Sequence, residues 1–302
     1  MPELPDVELY IHALRGHVQG RTLDRVRLAT PFLLRSVEPP LDQVEGRRVT
    51  GFRRIGKRIV WEFQGNHFLV FHLMIAGRFK WRERSVPVPR KVGLAAFDFE
   101  NGTLLLTEAA TQKRASLHVV SGEEALAAFN PGGLEVAANE LAAFAAALQR
   151  ESHTLKRALT DPHVFSGIGN AYSDEILHRA KLSPFKLTRQ LTEADMKLLY
   201  EATISTLDEW TRRLRDETGE RFPEKVTAFR EGMAVHGRFG QPCPRCGTPV
   251  QRIVHGEHEV NYCPECQTGG RLLADRALSK LLKSDWPKTL DELERRISPQ
   301  RR

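Results

Sequence analysis

The chain has 302 residues, 41% of them hydrophobic and 27% charged, which is ordinary for a water-soluble fold and long enough for two or three units with their own cores. No apolar run approaches the roughly 20 residues of a membrane-spanning helix, and MPELPDVELY lacks the basic and apolar regions of a secretory signal, so the cytoplasm or nucleoid and no membrane partner are expected. Lys plus Arg exceed Asp plus Glu by 45 to 38, a net +7, which suits a polyanionic partner without establishing one.

Residues 1–15 read as a short amphipathic helix, with Val7, Leu9, Tyr10, Ile11 and Leu14 at near-helical spacing behind Pro5 and Asp6. From Thr22 to about Val120 the texture becomes short β-type runs: RIVWEF, HFLVFHLMI, LAAFDFENG with an Asn-Gly turn at 101–102, TLLLT and SLHVV. Several short strands at this spacing predict a sandwich or barrel. Basic residues crowd this region. Arg47, Arg48, Arg53, Arg54, Lys57 and Arg58 have no acid among them, and Arg78, Lys80, Arg82, Arg84, Arg90 and Lys91 follow. Each alone is equally well a solvated strand position; together they are read as a phosphate-binding surface.

Pro131-Gly132-Gly133 marks a boundary, after which the chain turns helical. Helices are predicted over 139–149, 154–160, 171–180 and 193–215, the last with Leu198, Leu199, Ile204 and Leu207 as its apolar stripe. FSGIGN, residues 165–170, is a Gly-punctuated turn that joins two helices and aims backbone N–H groups outward. A third unit begins near Gly237. The segment after Thr268 reads as an amphipathic helix, a break at Trp286-Pro287 and a charged second helix.

All four cysteines lie in the third unit, as Cys243-Pro-Arg-Cys246 and Cys263-Pro-Glu-Cys266 with sixteen residues between the pairs. Two such knuckles joined by a hairpin can set four thiolates around one structural Zn²⁺. Two disulfides are the alternative, disfavoured because nothing points to secretion.

Pro2 carries chemistry of another kind. Removal of Met1 would leave a free prolyl secondary amine, and an α-amino group titrates near pH 8, so part of it is neutral and nucleophilic at about pH 7. Such an amine can attack C1′ of a deoxyribose and form an iminium, with Glu3 beside it able to move protons. An innocuous start to the chain is the plain alternative.

MPELPDVE, Lys57 in RRIGKRIVWEF, HLMIAGR, FSGIGNAYSDEILHRAKLSP and the paired C-x2-C knuckles together resemble the Fpg/Nei family of DNA glycosylases, from residue 1 to about 270. The resemblance implies an α+β multidomain chain: an N-terminal β-sandwich with its helix over 1–130, a helix-two-turn-helix domain over 131–236, a zinc ribbon over 237–270 and a C-terminal helical extension over 271–302. It implies a monomer that binds damaged or abasic DNA between its two halves. Pro2 becomes the Schiff-base nucleophile, Glu3 the general acid/base that helps open the sugar, and Lys57 the basic residue of β-elimination, which also meets a phosphate. His72, Lys156 and Asn170 become DNA contacts, Asn170 at a helix start that favours phosphate. Glu175 is expected to brace the turn.

Three positions depart from the family pattern. The family reads H-L-x-M-x-G where this chain has HLMIAG, so Ile75 takes the slot of the Met that fills the hole left by a flipped base. Met74 stands one residue early and, on a strand, would point away. The Arg-Arg-Phe-Gly loop is replaced by EAATQKRA, residues 108–115, with Lys113 or Arg114 near the missing Phe. His258 holds the slot of the finger's phosphate-gripping Arg, and its contact would vary with pH.

The chemistry end is thus complete and the lesion-reading end rebuilt. That pattern predicts a bifunctional glycosylase and AP lyase acting by β- or β,δ-elimination, with single strands or bubbles among its substrates, because the side chains that offset unstacking are altered. Oxidised purines, ring-opened purines, oxidised pyrimidines and cross-link remnants are all compatible lesions. Two other readings are a non-catalytic sensor of distorted DNA, for which Pro2, Glu3 and Lys57 would be superfluous, and a zinc-ribbon adaptor, which leaves the first octapeptide unexplained.

Overall fold

Strand alternation sorts the β region into two layers. The computed structural model describes residues 1–255, 258–274 and 286–297. Eight strands follow the first helix, α1 (Leu4–Val18): β1 (Leu23–Leu28), β2 (Val49–Ile55), β3 (Arg58–Phe63), β4 (His67–His72), β5 (Gly77–Arg82), β6 (Gly93–Phe99), β7 (Gly102–Glu108) and β8 (Ser116–Ser121). They form two antiparallel four-stranded sheets, ordered β1-β6-β7-β5 and β2-β3-β4-β8.

The sheets meet around Trp61, which is fully buried and lies 5.1 Å from Phe71, 5.4 Å from Phe97 and 5.7 Å from Phe52, centroid to centroid. β4 explains why HFLVF is apolar without a break. Leu69 and Phe71 are buried alongside Phe68 and Val70, which belong to a separate small cluster with Val60, Val120 and Leu126. Leu126 comes from the short helix α2 (Glu123–Ala127), so this sheet is covered on both faces. The β6–β7 turn is Glu100-Asn101, since Phe99 pairs with Gly102. The expected Asn-Gly turn is thus shifted by one residue, and Gly102 is inside the strand because a Cβ there would sit 2.4 Å from the Trp81 ring.

Contact clustering divides the chain into two units, 1–133 with 207–228, and 134–206 with 229–302. The second contains α3 (Leu141–Gln149), α4 (Leu155–Thr160), α5 (Asn170–Arg179) and the first part of α6 (Glu193–Thr218). Thr192 opens α6 by a reciprocal capping box, giving its N–H to Asp195 Oδ2 (2.9 Å) and accepting from Asp195 N (3.1 Å). The buried stripe of α6 runs through Met196, Leu199, Ala202, Thr203, Leu207, Trp210 and Leu214, while Leu198 is 50% exposed. The sequence had placed Leu198 in that stripe; a helix turns 100° per residue, so adjacent Leu198 and Leu199 diverge, and the tertiary contacts chose Leu199.

The ribbon's hairpin is β9 (Gln251–His255) and β10 (His258–Tyr262), followed by the turn of helix α7 (Pro264–Thr268). The segment beyond folds back on it. Leu272 N donates to Lys288 O (2.8 Å), Leu273 N to the buried Tyr262 hydroxyl (2.8 Å), and Arg271 bridges Thr289. Thr289 and Glu292 then cap α8 (Leu290–Ile297). This is the charged second helix expected; the amphipathic helix expected before Trp286 lies largely outside the described residues.

Among the described residues the buried indole N–H of Trp61 has no hydrogen-bond partner, so its contribution is packing. Trp61→Ala should therefore cost about 3–5 kcal/mol of stability, whereas Trp61→Phe should cost less than about 1.5 kcal/mol, both read from urea unfolding.

Candidate active site

In the first unit the chain start is buried. Pro2 and Glu3 are both inaccessible, Glu3 as the N-cap of α1. Its N–H donates to Asp6 Oδ2 at 2.9 Å, and Asp6 is itself 1% exposed. With Met1 in place the terminal amine is that of Met1, one residue before the prolyl nitrogen. Burial pushes this amine below its ordinary value, Arg78 and Lys57 push it further, and Glu3 and Asp6 oppose them. Two cations and two carboxylates thus act on the chain start. The motif HLMIAGR ends in Arg78, but its charge here was read only as part of a basic surface. Arg78 is fixed by donating to Ile75 O (3.0 Å) and Gly77 O (2.7 Å).

Lys57 is the second residue of the two-residue turn between β2 and β3, where Gly56 takes a φ of +60°. Glycine at the first turn position permits the tight hairpin that holds Lys57 at its tip. His72, at the end of β4, is lowered to about 4 by burial, with Arg58, Lys57, His118 and the terminal amine adding to it. It is therefore neutral at about pH 7 and can offer a phosphate an N–H but no charge.

The HLMIAG segment differs from its strand-based expectation. β4 ends at His72, and residues 74–76 form a turn closed by Gly77 N to Leu73 O at 2.9 Å. Met74 has a left-handed φ of 51° and Ile75 is 57% exposed, so strand alternation does not decide where Met74 points. Gly77 is required, since a Cβ would meet Leu73 O at 2.2 Å. The loop after β7 is organised by Glu108, 1% exposed, whose carboxylate accepts from Arg114 N (2.9 Å) and Ala115 N (3.1 Å). Lys113 Nζ donates to the Glu108 carbonyl, and the Arg114 guanidinium holds Gln112 Oε1 at 2.9 Å. Both cations are therefore tied to their own loop.

The wider basic surface is also more self-paired than the sequence implied. Arg53 binds Glu62 and Glu123, Arg54 pairs with Glu8 at 3.3 Å, Arg82 binds Glu224, and Arg58 donates to Phe129 O at 3.2 Å. A run of like charges in sequence says nothing of acids brought in from elsewhere by the fold.

In the second unit Asn170 is the first residue of α5, half-buried, behind the turn 165–169. Phe165 stacks on Phe144 at 4.6 Å, and Ser166 N donates to Leu134 O at 2.9 Å, fixing that turn. The structure turns Lys156 away from the phosphate role expected of it. Its ammonium is 7% exposed as a residue and donates to Asn170 O (2.6 Å), Ser173 Oγ (2.8 Å) and Asp174 Oδ1 (2.5 Å), which uses all three of its N–H groups. Glu175 braces more than its own turn: it accepts from the backbone N–H groups of Ala234 (2.7 Å), Val235 (2.9 Å) and His236 (2.9 Å). Burial nonetheless pushes its carboxyl above the usual range. Asp174, His236 and Asn261 form a further buried group that the sequence does not announce, since Asp174 stands in a helix with polar residues on either side of it.

The four cysteine Sγ atoms lie within 4.8 Å of one another, with 3.4 Å between Cys246 and Cys263 and 3.9 Å between Cys243 and Cys266. Disulfides need about 2.05 Å, and the edge of a tetrahedron with 2.3 Å arms is about 3.8 Å, so the set fits one zinc. Cys243, Cys246, Cys263 and Cys266 would hold it in a closed site whose contribution is structural. His258 opens β10 opposite His255; its side chain lies outside the described part of the structure.

Because the Lys156 ammonium is paired inside, Lys156→Met should destabilise the protein by about 3–5 kcal/mol, the usual cost of breaking a buried pair. A lysine serving phosphate alone would cost less than about 0.5 kcal/mol. Urea unfolding distinguishes the two.

Residues 1–114 match the formamidopyrimidine-DNA glycosylase N-terminal domain, 133–219 its H2TH domain and 240–269 the zinc finger found in FPG and IleRS. The formamidopyrimidine-DNA glycosylase of Thermus thermophilus is 34% identical over 278 residues, covering 89% of this chain and all of that one. A formamidopyrimidine-DNA glycosylase-like protein of Mycobacterium tuberculosis is 42% identical over 156 residues, 52% of this chain and 95% of its own length. Among solved structures, Lactococcus lactis Fpg bound to Fapy-dG-containing DNA superposes with a TM-score of 0.77 at 25% identity, covering 88% of this chain and all of that one. The same enzyme with abasic-site DNA gives 0.76 at 24% identity, covering 88% and 99%. Fold, thiolate set and extended sequence identity agree, and the chain belongs to the formamidopyrimidine-DNA glycosylase family.

Proposed function

We propose that this protein is a DNA glycosylase with AP-lyase activity that works on damaged or abasic DNA through the amine of Pro2. The observation that carries the reading is the buried chain start, where Arg78 and Lys57 lower the amine and Glu3 lies alongside. Loss of Met1 would make the prolyl nitrogen the chain's amine, next to Glu3 in the same buried stretch, and the neutral fraction of that amine is the nucleophile. It attacks C1′; the C1′–N bond to the base breaks with its electron pair leaving on the base. Glu3 hands a proton to the ring oxygen as the sugar opens, and loss of the amine proton gives the iminium. Removal of a C2′ proton then expels the 3′ phosphate. Lys57, at the hairpin tip, supplies charge for that phosphate, and Asn170 at the start of α5 takes a flanking one. His72 adds a neutral N–H. The bound zinc serves the ribbon's fold and takes no part in these steps.

The reading includes a strand preference. An exposed Ile75 and a loop without an aromatic side chain replace the usual wedges, so duplex substrates lose support for the extruded nucleotide, worth a few kcal/mol. Single strands and bubbles need none. Work on the nucleoid follows.

Borohydride with abasic-site DNA should give a covalent complex whose modified residue, by mass spectrometry, is Pro2, and Pro2→Gly should trap far more weakly while binding DNA almost as well. An adduct on any lysine overturns the assignment. In the same assay single-stranded and bubble sites should trap at least as fast as duplex; a duplex preference of about tenfold, or 1.4 kcal/mol, would mean another element supplies the wedge.

The pH dependence carries a sign. A cation beside an amine disfavours its charged form, so the trapping rate should rise with pH through an inflection below the usual α-amino value of about 8. Lys57→Met removes one such cation, so its inflection should move upward. Its trapping deficit should be greatest near about pH 7 and fade by about pH 9, where the amine is neutral in both proteins.

A further inference from the structure

The two knuckles are fastened by different chemistry, the second to the segment that follows α5 and the first to α5 itself. On the second, the Gln267 amide donates to Leu182 O (2.9 Å) and accepts from Cys263 N (2.9 Å), an ordinary backbone clamp. On the first, the contact is made to a metal ligand itself. His178, in the last turn of α5 and 4% exposed, places Nε2 3.2 Å from Cys243 Sγ, and Cys243 is 2% exposed. The Arg245 guanidinium reaches the His178 carbonyl at 3.4 Å, so the pair is held from both sides. An imidazole Nε2 that carries a proton can donate it to an acceptor at this distance, and a thiolate sulfur has none to give.

We infer that His178 is a positioning residue for the zinc site: in its Nε2–H form it donates to the Cys243 thiolate, tying the metal centre to the helix that begins at Asn170. Four thiolates on one Zn²⁺ leave an excess of negative charge on sulfur inside the protein. Cys263 disperses part of it onto the backbone N–H of Cys266, 3.5 Å from its Sγ. For Cys243 the imidazole performs that service. An N–H directed at sulfur lowers its nucleophilicity and fixes its direction, as outer hydrogen bonds do at metal sites generally. Without it the buried Cys243 thiolate keeps more of its charge and loses the contact that fixes its direction toward the metal. The inference concerns the metal site alone and stands or falls independently of the lesion chemistry.

The test uses the full-length zinc-loaded protein and two variants, His178→Phe, which fills the space without a donor, and His178→Gln, which keeps an N–H. Zinc release after addition of N-ethylmaleimide is followed with a chromogenic chelator. His178→Phe should release zinc at least about tenfold faster than the parent, in keeping with the loss of one hydrogen bond to a charged group. His178→Gln should stay within about threefold of the parent. Parent-like release from His178→Phe, or equal release from both variants, overturns the inference. Because a packing defect could speed release from His178→Phe, the parent protein loaded with NMR-active cadmium supplies a second readout. Scalar coupling between the imidazole Hε2 and the metal supports the hydrogen bond through sulfur; a ring found as the Nδ1–H tautomer refutes it.

Discussion

The buried carboxylate of Asp174 is the interaction on which the second unit depends. It is fully inaccessible and accepts from Lys156 Nζ (2.5 Å), His236 Nδ1 (2.9 Å) and the backbone and side chain of Asn261 (both 3.2 Å). A charge in such a place is tolerated only when paired and hydrogen-bonded. Its partners come from α4, the segment before the ribbon and β10, so one carboxyl joins three stretches far apart in sequence. Glu175, the next residue, joins the backbone of 234–236 from the same helix. α5 is thus a beam with Asn170 at one end, two carboxylates along it and the metal ligand's neighbour at the other.

The first unit solves a different electrostatic problem. A nucleophilic amine, as proposed for Pro2, must be partly neutral at a pH where amines are charged, and burial next to cations pushes in that direction. Burial alone would also exclude the proton carriers the reaction needs. Placing Glu3 at the N-cap of α1 supplies a carboxylate whose position is fixed by helix geometry, since its own N–H is held by Asp6.

Residues whose role is local were legible in the sequence. The knuckle spacing specified the thiolate set, Pro5 and Asp6 marked the start of α1, and the run RIVWEF gave β3. What escaped was whatever depends on a distant partner. Lys156 carries no mark that Asp174 waits inside the fold, so an ammonium near a phosphate-binding turn was taken for a phosphate ligand. Arg53, Arg54 and Arg82 were taken as free for the same reason. Strand alternation does not reach Met74 because the strand ends three residues before its apolar run does, and Gly77, which enforces that ending, reads in sequence only as part of a motif. Leu198 shows the limit of periodicity: two adjacent leucines fit a helical stripe equally well until packing selects one.

Burial of the chain start has a practical consequence for anyone producing this protein. On the mechanism proposed above, a residual tag or uncleaved leader leaves the Pro2 nitrogen a tertiary amide, which has no basic lone pair. Such material could keep its sandwich and its ribbon and still lack its nucleophile. The C-terminal end is no neutral alternative, because the segment after the ribbon is hydrogen-bonded back to Tyr262 and carries α8. A scarless N-terminus is therefore part of the enzyme's chemical composition, and preparations are comparable only when that terminus has been sequenced.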